Sequence, residues 1–233
     1  MSDFRGYDFG RNGSVSTVAV RNRVLRNTYW LLALSMVPTV LGAWIGVATG
    51  FSLFAATSPG MSMLLFFVVA FGLMFAIEKF KDSGVGVVLL LGFTFFMGLM
   101  LSRLIGIILG FSNGASLIMM AFGGTGVIFA SMATIATVSK RDFSGMGRWL
   151  FMGVIVLILA SVANIWLQMT AMMLTVSVLA IVIFSAFMLV DVQRVVNGGE
   201  TNYVSATLAI YLDIYNVFTS LLSLLGIFGG NRN

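Results

Sequence analysis

Seven apolar windows, at about 29–50, 61–77, 85–102, 115–138, 149–167, 171–190 and 203–228, divide the chain and leave almost nothing between them. A bilayer crossing takes about 20 mostly apolar residues at 1.5 Å rise each, so a chain of 233 residues is used up by seven such helices and short turns. Only 9% of the residues are charged and 59% are hydrophobic, where a water-soluble domain carries roughly a quarter charged. The pattern predicts an all-α polytopic membrane protein: a cytoplasmic, disordered tail over residues 1–28 and a seven-helix transmembrane bundle over 29–230. Turn formers punctuate the windows, as Ser58-Pro59-Gly60, Ser112-Asn113-Gly114 and Asn197-Gly198-Gly199. The fifth and sixth windows almost touch, which predicts a tight hairpin.

Basic residues set the orientation. Eleven of the thirteen Lys and Arg fall on the amino-terminal side of an alternating topology: Arg5, Arg11, Arg21, Arg23 and Arg26 in the tail, Lys79 and Lys81, Lys140, Arg141 and Arg148, and Arg194. Only Arg103 and Arg232 fall on the other. The positive-inside rule then predicts a cytoplasmic amino terminus and, for seven spans, a carboxyl terminus outside, which is the periplasm in a bacterial inner membrane. The same scatter argues against nucleic acid, which calls for one basic face or run. Cysteine and histidine are both absent, so thiol chemistry is excluded and any metal would take oxygen ligands.

Small residues recur at four-residue spacing in Gly42, Gly46 and Gly50 and in Gly98, Ser102, Gly106 and Gly110. Such spacing lets helices approach closely, and packing inside the bundle is the preferred reading over a dimer seam. Six of the eight acidic residues stand in the tail, in loops or at helix ends; Asp191 and Asp213 do not. Asp191 closes the sixth apolar run near its cytoplasmic end, and Asp213 lies about 15 Å into the seventh. The two helices are antiparallel neighbours, so the carboxyls can face one another. An ionised carboxylate at that depth is costly and needs a partner, a proton or water. Two carboxyls that share a proton make a pH switch, and when deprotonated they offer hard oxygen ligands to a cation such as Ca²⁺. Asp191 and Asp213 are therefore the candidate pH sensor and cation site. Arg194 and Asn164 are candidate partners, and Arg103 is expected to reach the headgroups at the outer face.

Three stretches carry a family resemblance: Gly123-Gly124-Thr125 with Phe129 and the run Ser139-Lys-Arg-Asp-Phe-Ser-Gly-Met146; Ala160-Ser-Val-Ala-Asn164; and Asp191-Val-Gln193 with Leu212-Asp213-Ile-Tyr-Asn216. With them the chain resembles the transmembrane Bax inhibitor motif family, the Bax-inhibitor-one-like group, from Leu25 onward. The resemblance implies a pH-sensitive calcium leak whose sensor is an aspartate pair, matched by Asp191 and Asp213. It also implies an arginine latch at the end of the second helix, where this chain has Glu78, Lys79 and Lys81, with Lys79 the nearest substitute. Asn197-Gly-Gly-Glu-Thr-Asn-Tyr203 and Val24-Leu-Arg-Asn-Thr-Tyr29 are closer to a proteobacterial subgroup of modulators and substrates of the FtsH-type membrane AAA protease. That likeness implies the alternative, a non-transporting modulator whose tail engages the protease. An intramembrane aspartyl protease is disfavoured, because Ile210-Tyr-Leu212 precedes Asp213 where such enzymes carry Gly-x-Gly. The expected protein is thus not an enzyme and requires no cofactor.

Overall fold

Hydrocarbon offers a backbone no hydrogen-bond partners, so each apolar window must satisfy its own amides and become a helix. A computed structural model describes residues 9–51 and 59–230, with side chains over 21–51 and 60–230. It contains α1 (Phe9–Thr49), α2 (Pro59–Phe80), α3 (Gly84–Leu109), α4 (Gly114–Val138), a short 3-10 turn (Ser144–Met146), α5 (Gly147–Leu167), α6 (Thr170–Val196) and α7 (Tyr203–Gly229). Seven helices are long and apolar enough to cross a membrane, and no strand occurs among the described residues. The last helix is 27 residues, about 40 Å, which is a full crossing and not a re-entrant segment.

Two boundaries differ from expectation. α3 continues past Ser102 to Leu109, because Leu104, Ile105, Ile107 and Ile108 extend the apolar run and Arg103 is accommodated by pointing outward. α1 shows no break at residue 28. It is helical from Phe9, and Val24 and Thr28 are buried against the bundle, so the packed domain begins before Tyr29. Residues 1–8 of the expected tail lie outside the described residues.

The bundle is built around α7, which packs on α1, α2, α3, α4 and α6 and exposes no residue from Tyr203 to Gly226. α5 sits at the edge, touching α6 and the 3-10 turn. Most buried side chains gather in the half of the bundle nearer the tail, where Phe93, Ile77, Leu90, Val192 and Tyr211 pack together; Ile108, Leu117, Ala121 and Leu222 form a smaller cluster at the other end. Tyr211 ties three helices: its ring meets Phe93 edge-on at 6.2 Å, and its hydroxyl shares a hydrogen bond of 2.9 Å with Thr39 Oγ1. The outward faces are apolar, with Trp30, Trp44, Phe75, Met119, Trp149 and Trp166 exposed where lipid would lie.

Gly42, Gly46, Gly98 and Ser102 of the small-residue series serve the inside of the bundle, whereas Gly50 and Gly106 have nothing within 4 Å of a Cβ position. A Cβ on Gly42 would run into the Phe95 carbonyl, one on Gly46 into the Ser102 side chain, and one on Gly98 into the Thr39 carbonyl. These glycines let α1 and α3 meet backbone to backbone, the dispersion contact that replaces a hydrophobic drive in lipid. Gly92, on the same helix, has nothing within 4 Å of its Cβ position. Gly98→Val is therefore expected to lower the melting temperature in detergent, by an overpacking cost of about 1–3 kcal/mol or more. Gly92→Ala should leave it nearly unchanged; equal shifts for both would refute the seam.

Candidate functional site

The α6–α7 hairpin places the two carboxyls. Gly198, at φ +78°, closes α6: its own N–H donates to the Val195 carbonyl at 3.1 Å and the Gly199 N–H to the Arg194 carbonyl at 2.8 Å. Four residues later Asn202 starts α7, its Oδ1 accepting from the N–H groups of Val204 (2.8 Å) and Ser205 (3.2 Å). The Asn202 amide also donates to Asp82 Oδ1 at 2.8 Å and to the Lys81 carbonyl at 3.2 Å, which fastens the α2–α3 turn to the hairpin. Between these fixed ends the side chains of Asp191 and Asp213 come close to each other. Asp213 is 4% exposed, and its Oδ2 has no hydrogen-bond partner.

Asp191 lines a cavity of about 250 Å³ with Glu78 of α2, Lys81 of the α2–α3 turn, Arg194 of α6, Glu200, and Ser205 and Ala209 of α7. The cavity opens where the tail-side helix ends meet, and Asp213 lies one turn below Ala209. The cations at its mouth are held by other acids: Lys81 Nζ donates to Glu78 Oε2 at 2.9 Å, and Arg194 stands 3.7 Å from Glu200 Oε2. Glu78 beside it holds the Lys81 ammonium above its ordinary pKa. The Glu200 Oε1 accepts from the N–H groups of Thr201 and Asn202, both at 2.9 Å, so the carboxylate that faces Arg194 is fixed by its own turn. Asp191 makes no ion pair among the described residues.

The sequence-predicted residues part company here. Asp191, Asp213, Glu78 and Arg194 come together. Lys79 does not line the cavity; its ammonium lies 5.7 Å over the Phe80 ring, and Lys81 occupies the place expected of it. Asn164 is at the opposite end of the bundle, where its Oδ1 accepts from the Met169 N–H at 2.9 Å and closes α5, so it supports the α5–α6 turn and not the aspartates. No group of three or more acidic residues is placed to hold a metal ion among the described residues. Ser205, Glu200 and Asn202 were not singled out in the sequence, although an Asn just before an apolar run is a helix-start signal.

Gln193, which enters the sequence reading only as part of the Asp191-Val-Gln193 stretch, lies two positions from Asp191. Its Oε1 accepts from the Phe143 N–H and its Nε2 donates to the Arg141 carbonyl, both at 2.7 Å. The run Ser139 to Met146 is thereby held against α6, which brings two of the three recognised stretches together in space. The third contact between such stretches is the edge-on approach of the Phe129 and Tyr29 rings at 6.2 Å.

The family described as Inhibitor of apoptosis-promoting Bax1 matches residues 21–230, the extent of the packed bundle. A membrane protein of Vibrio cholerae without assigned function is 38% identical over 223 residues, 96% of this chain and 97% of that one. The Escherichia coli protein called modulator of FtsH protease YccA is 36% identical over 205 residues, 88% of this chain and 90% of that one. A Neisseria meningitidis protein is 35% identical over 209 residues, covering 88% of this chain and 91% of its own length.

Asp142 in the α4–α5 loop accepts from the Ser144 N–H at 2.9 Å and from the Ser144 hydroxyl at 3.0 Å, and these bonds hold its carboxyl below the ordinary carboxylate range. A lowered value means that the stabilisation is complete above the unfolded-state pKa and is lost as pH falls through the native one. Protection of the Ser144 amide from hydrogen exchange is therefore expected to hold from neutral pH down to about pH 4 and to fall below it. In Asp142→Asn it should be weaker and flat with pH; a wild-type protection that rises on acidification would contradict this assignment.

Proposed function

The chain belongs to the Inhibitor of apoptosis-promoting Bax1 family, and on that footing we propose that it is a non-catalytic, multi-pass protein of a bacterial inner membrane that modulates an FtsH-type membrane protease. The observation that carries this reading is the 36% identity, over nine-tenths of its length, to the E. coli protein named for that role. The shape of α1 supports it. At 41 residues the helix is about 61 Å long, twice the hydrocarbon thickness, and at Arg21 it passes close to Gly198 of the α6–α7 turn. Residues 9–20 continue α1 ahead of its apolar window, on the basic side of the chain, which is the cytoplasmic side in this reading.

The test is reconstitution of an FtsH-type protease with a membrane substrate in liposomes. Addition of the full chain should slow degradation of that substrate severalfold. A chain lacking residues 2–20, which keeps the buried Val24 and Thr28, should lose the effect. Slowing that survives the deletion would remove the arm from the reading, and no slowing by the full chain would sink the reading itself.

A second reading is favoured by one specific observation, the buried Asp213 oxygen without a partner beneath a charged cavity. In it the Asp191–Asp213 pair gates a cation leak, Ca²⁺ included, and the shared proton sets the gate. Asp213→Asn inserts as readily, since a neutral amide is no harder to bury than a shared proton. Its flux in liposomes should no longer differ between acidic and neutral pH, while Asp142→Asn keeps the wild-type profile. An unchanged profile in the Asp213 variant would refute the gate.

A further inference from the structure

At 100° per residue, Ser205, Ala209, Asp213, Asn216, Ser220 and Ser223 all fall within an arc of about 80° on α7. No residue larger than asparagine stands in that arc from Ser205 to Ser223, a length of about 27 Å, close to the ~30 Å of a bilayer's hydrocarbon. The opposite side of the helix is the packed one, with Tyr211, Phe218, Leu222 and Leu225 set against α1, α3 and α4. At its tail-side end the arc borders the cavity, whose other walls come from α6 and the end of α2. Both helices flank α7 without forming a packed interface with each other, and the cavity above Asp213 lies between them.

Several polar groups along the arc are unmet. Asp213, 4% exposed, has no partner at its Oδ2. Elsewhere in the bundle hydroxyls return to their own helix: Ser35, Thr125, Ser131, Thr134 and Thr219 all donate to a carbonyl one turn back. Ser220 and Ser223 make no such bond among the described residues, and Asn216 gives only its Nδ2, to the Leu212 carbonyl at 2.7 Å, leaving its Oδ1 free. Unmet polar groups are costly in hydrocarbon, so a row of them across the membrane calls for water.

We propose that this arc is a hydrated lane that passes protons between the cavity and the opposite membrane face. Asp213 takes a proton from hydronium on one side and returns it to water on the other, with no net change in the protein. Asn216, Ser220 and Ser223 hold the waters that carry it across the far half. The charged groups facing the lane are Asp191 and Arg194 from α6, Glu78 from α2, Lys81 from the α2–α3 turn and Glu200 from the α6–α7 turn, all at the cavity end. Past Asp213 the arc has hydroxyls and an amide but no charge. Ca²⁺ takes six to eight oxygen ligands, which this uncharged far half does not offer as carboxylates, whereas a proton needs only a file of waters to pass. The lane rests on the second reading above and names its path and its cargo.

The test uses the purified full chain in liposomes with a potassium diffusion potential and an entrapped pH dye. Wild-type protein should acidify the lumen faster than empty vesicles. Ser220→Leu and Asn216→Leu should each slow it about tenfold, equivalent to about 1.4 kcal/mol of added barrier. Leucine inserts more favourably than serine or asparagine, so lost insertion would not account for the loss. Ser220→Thr, which keeps a hydroxyl, should retain flux, as should Ser131→Leu on the exposed face of α4. If Asp213→Asn stops proton flux while both leucine variants conduct normally, the lane is wrong and the aspartate gate stands. Calcium flux without proton flux overturns the cargo, and no flux of either ion overturns lane and gate together.

Discussion

The register of the α6–α7 hairpin governs the polar end of this molecule. A helix in lipid is free to rotate until something with direction stops it, and apolar packing alone stops it poorly because tails and side chains are equally apolar. Here the stop is supplied at the water boundary by Gly198 and Asn202, which close one helix and open the next with directed backbone bonds. A slip of one residue in α7 would turn Asp213 by about 100° and aim it at lipid or at the α1–α3 core. Because Asn202 also grips the α2–α3 turn, the same register fixes Glu78 and Lys81 over the carboxyl pair.

Rigidity is unevenly distributed around that hairpin. The α1–α3 seam, closed through Gly42, Gly46 and Gly98, and the Tyr211 bonds to it form a dense wall on one side of α7. On the other side α2 and α5 are peripheral, with large apolar side chains facing outward over most of their length. Thr207, Tyr211 and Tyr215 bond into that wall, while Ser205 and Asp213 stand on the side of α7 turned from it. Packing that specifies the fold and space that admits polar ligands are thus separated onto two faces of a single helix.

Much of this was legible in the chain. Twenty-residue apolar windows leave one solution, and a carboxylate deep in such a window is conspicuous because it is expensive. What eluded a linear reading depends on where helices stop. Lys79 and Lys81 are equivalent as letters, but α2 ends at Phe80, so Lys79 lies back along the helix against the Phe80 ring while Lys81, in the turn, folds over Glu78. Asn164 reads as a bundle partner by its depth in an apolar run, yet the left-handed Gln168 ends α5 just beyond it and turns its carbonyl to capping. Apolar content marks where a window ends; it does not mark where a helix that outlasts it begins, and α1 is such a case.

Gln193 gives the bundle a handle. Its two bonds clamp the Arg141–Phe143 backbone, which lies in water, to the helix that carries Asp191 less than one turn away. Because a helix is stiff along its axis, a pull or a push on that loop is delivered to the carboxyl pair as displacement, with no change of charge required. A partner that grasped the loop from the aqueous side would have mechanical leverage on a site it never touches, and the connection runs equally in reverse, so that events between the aspartates are transmitted to the surface as movement of a loop.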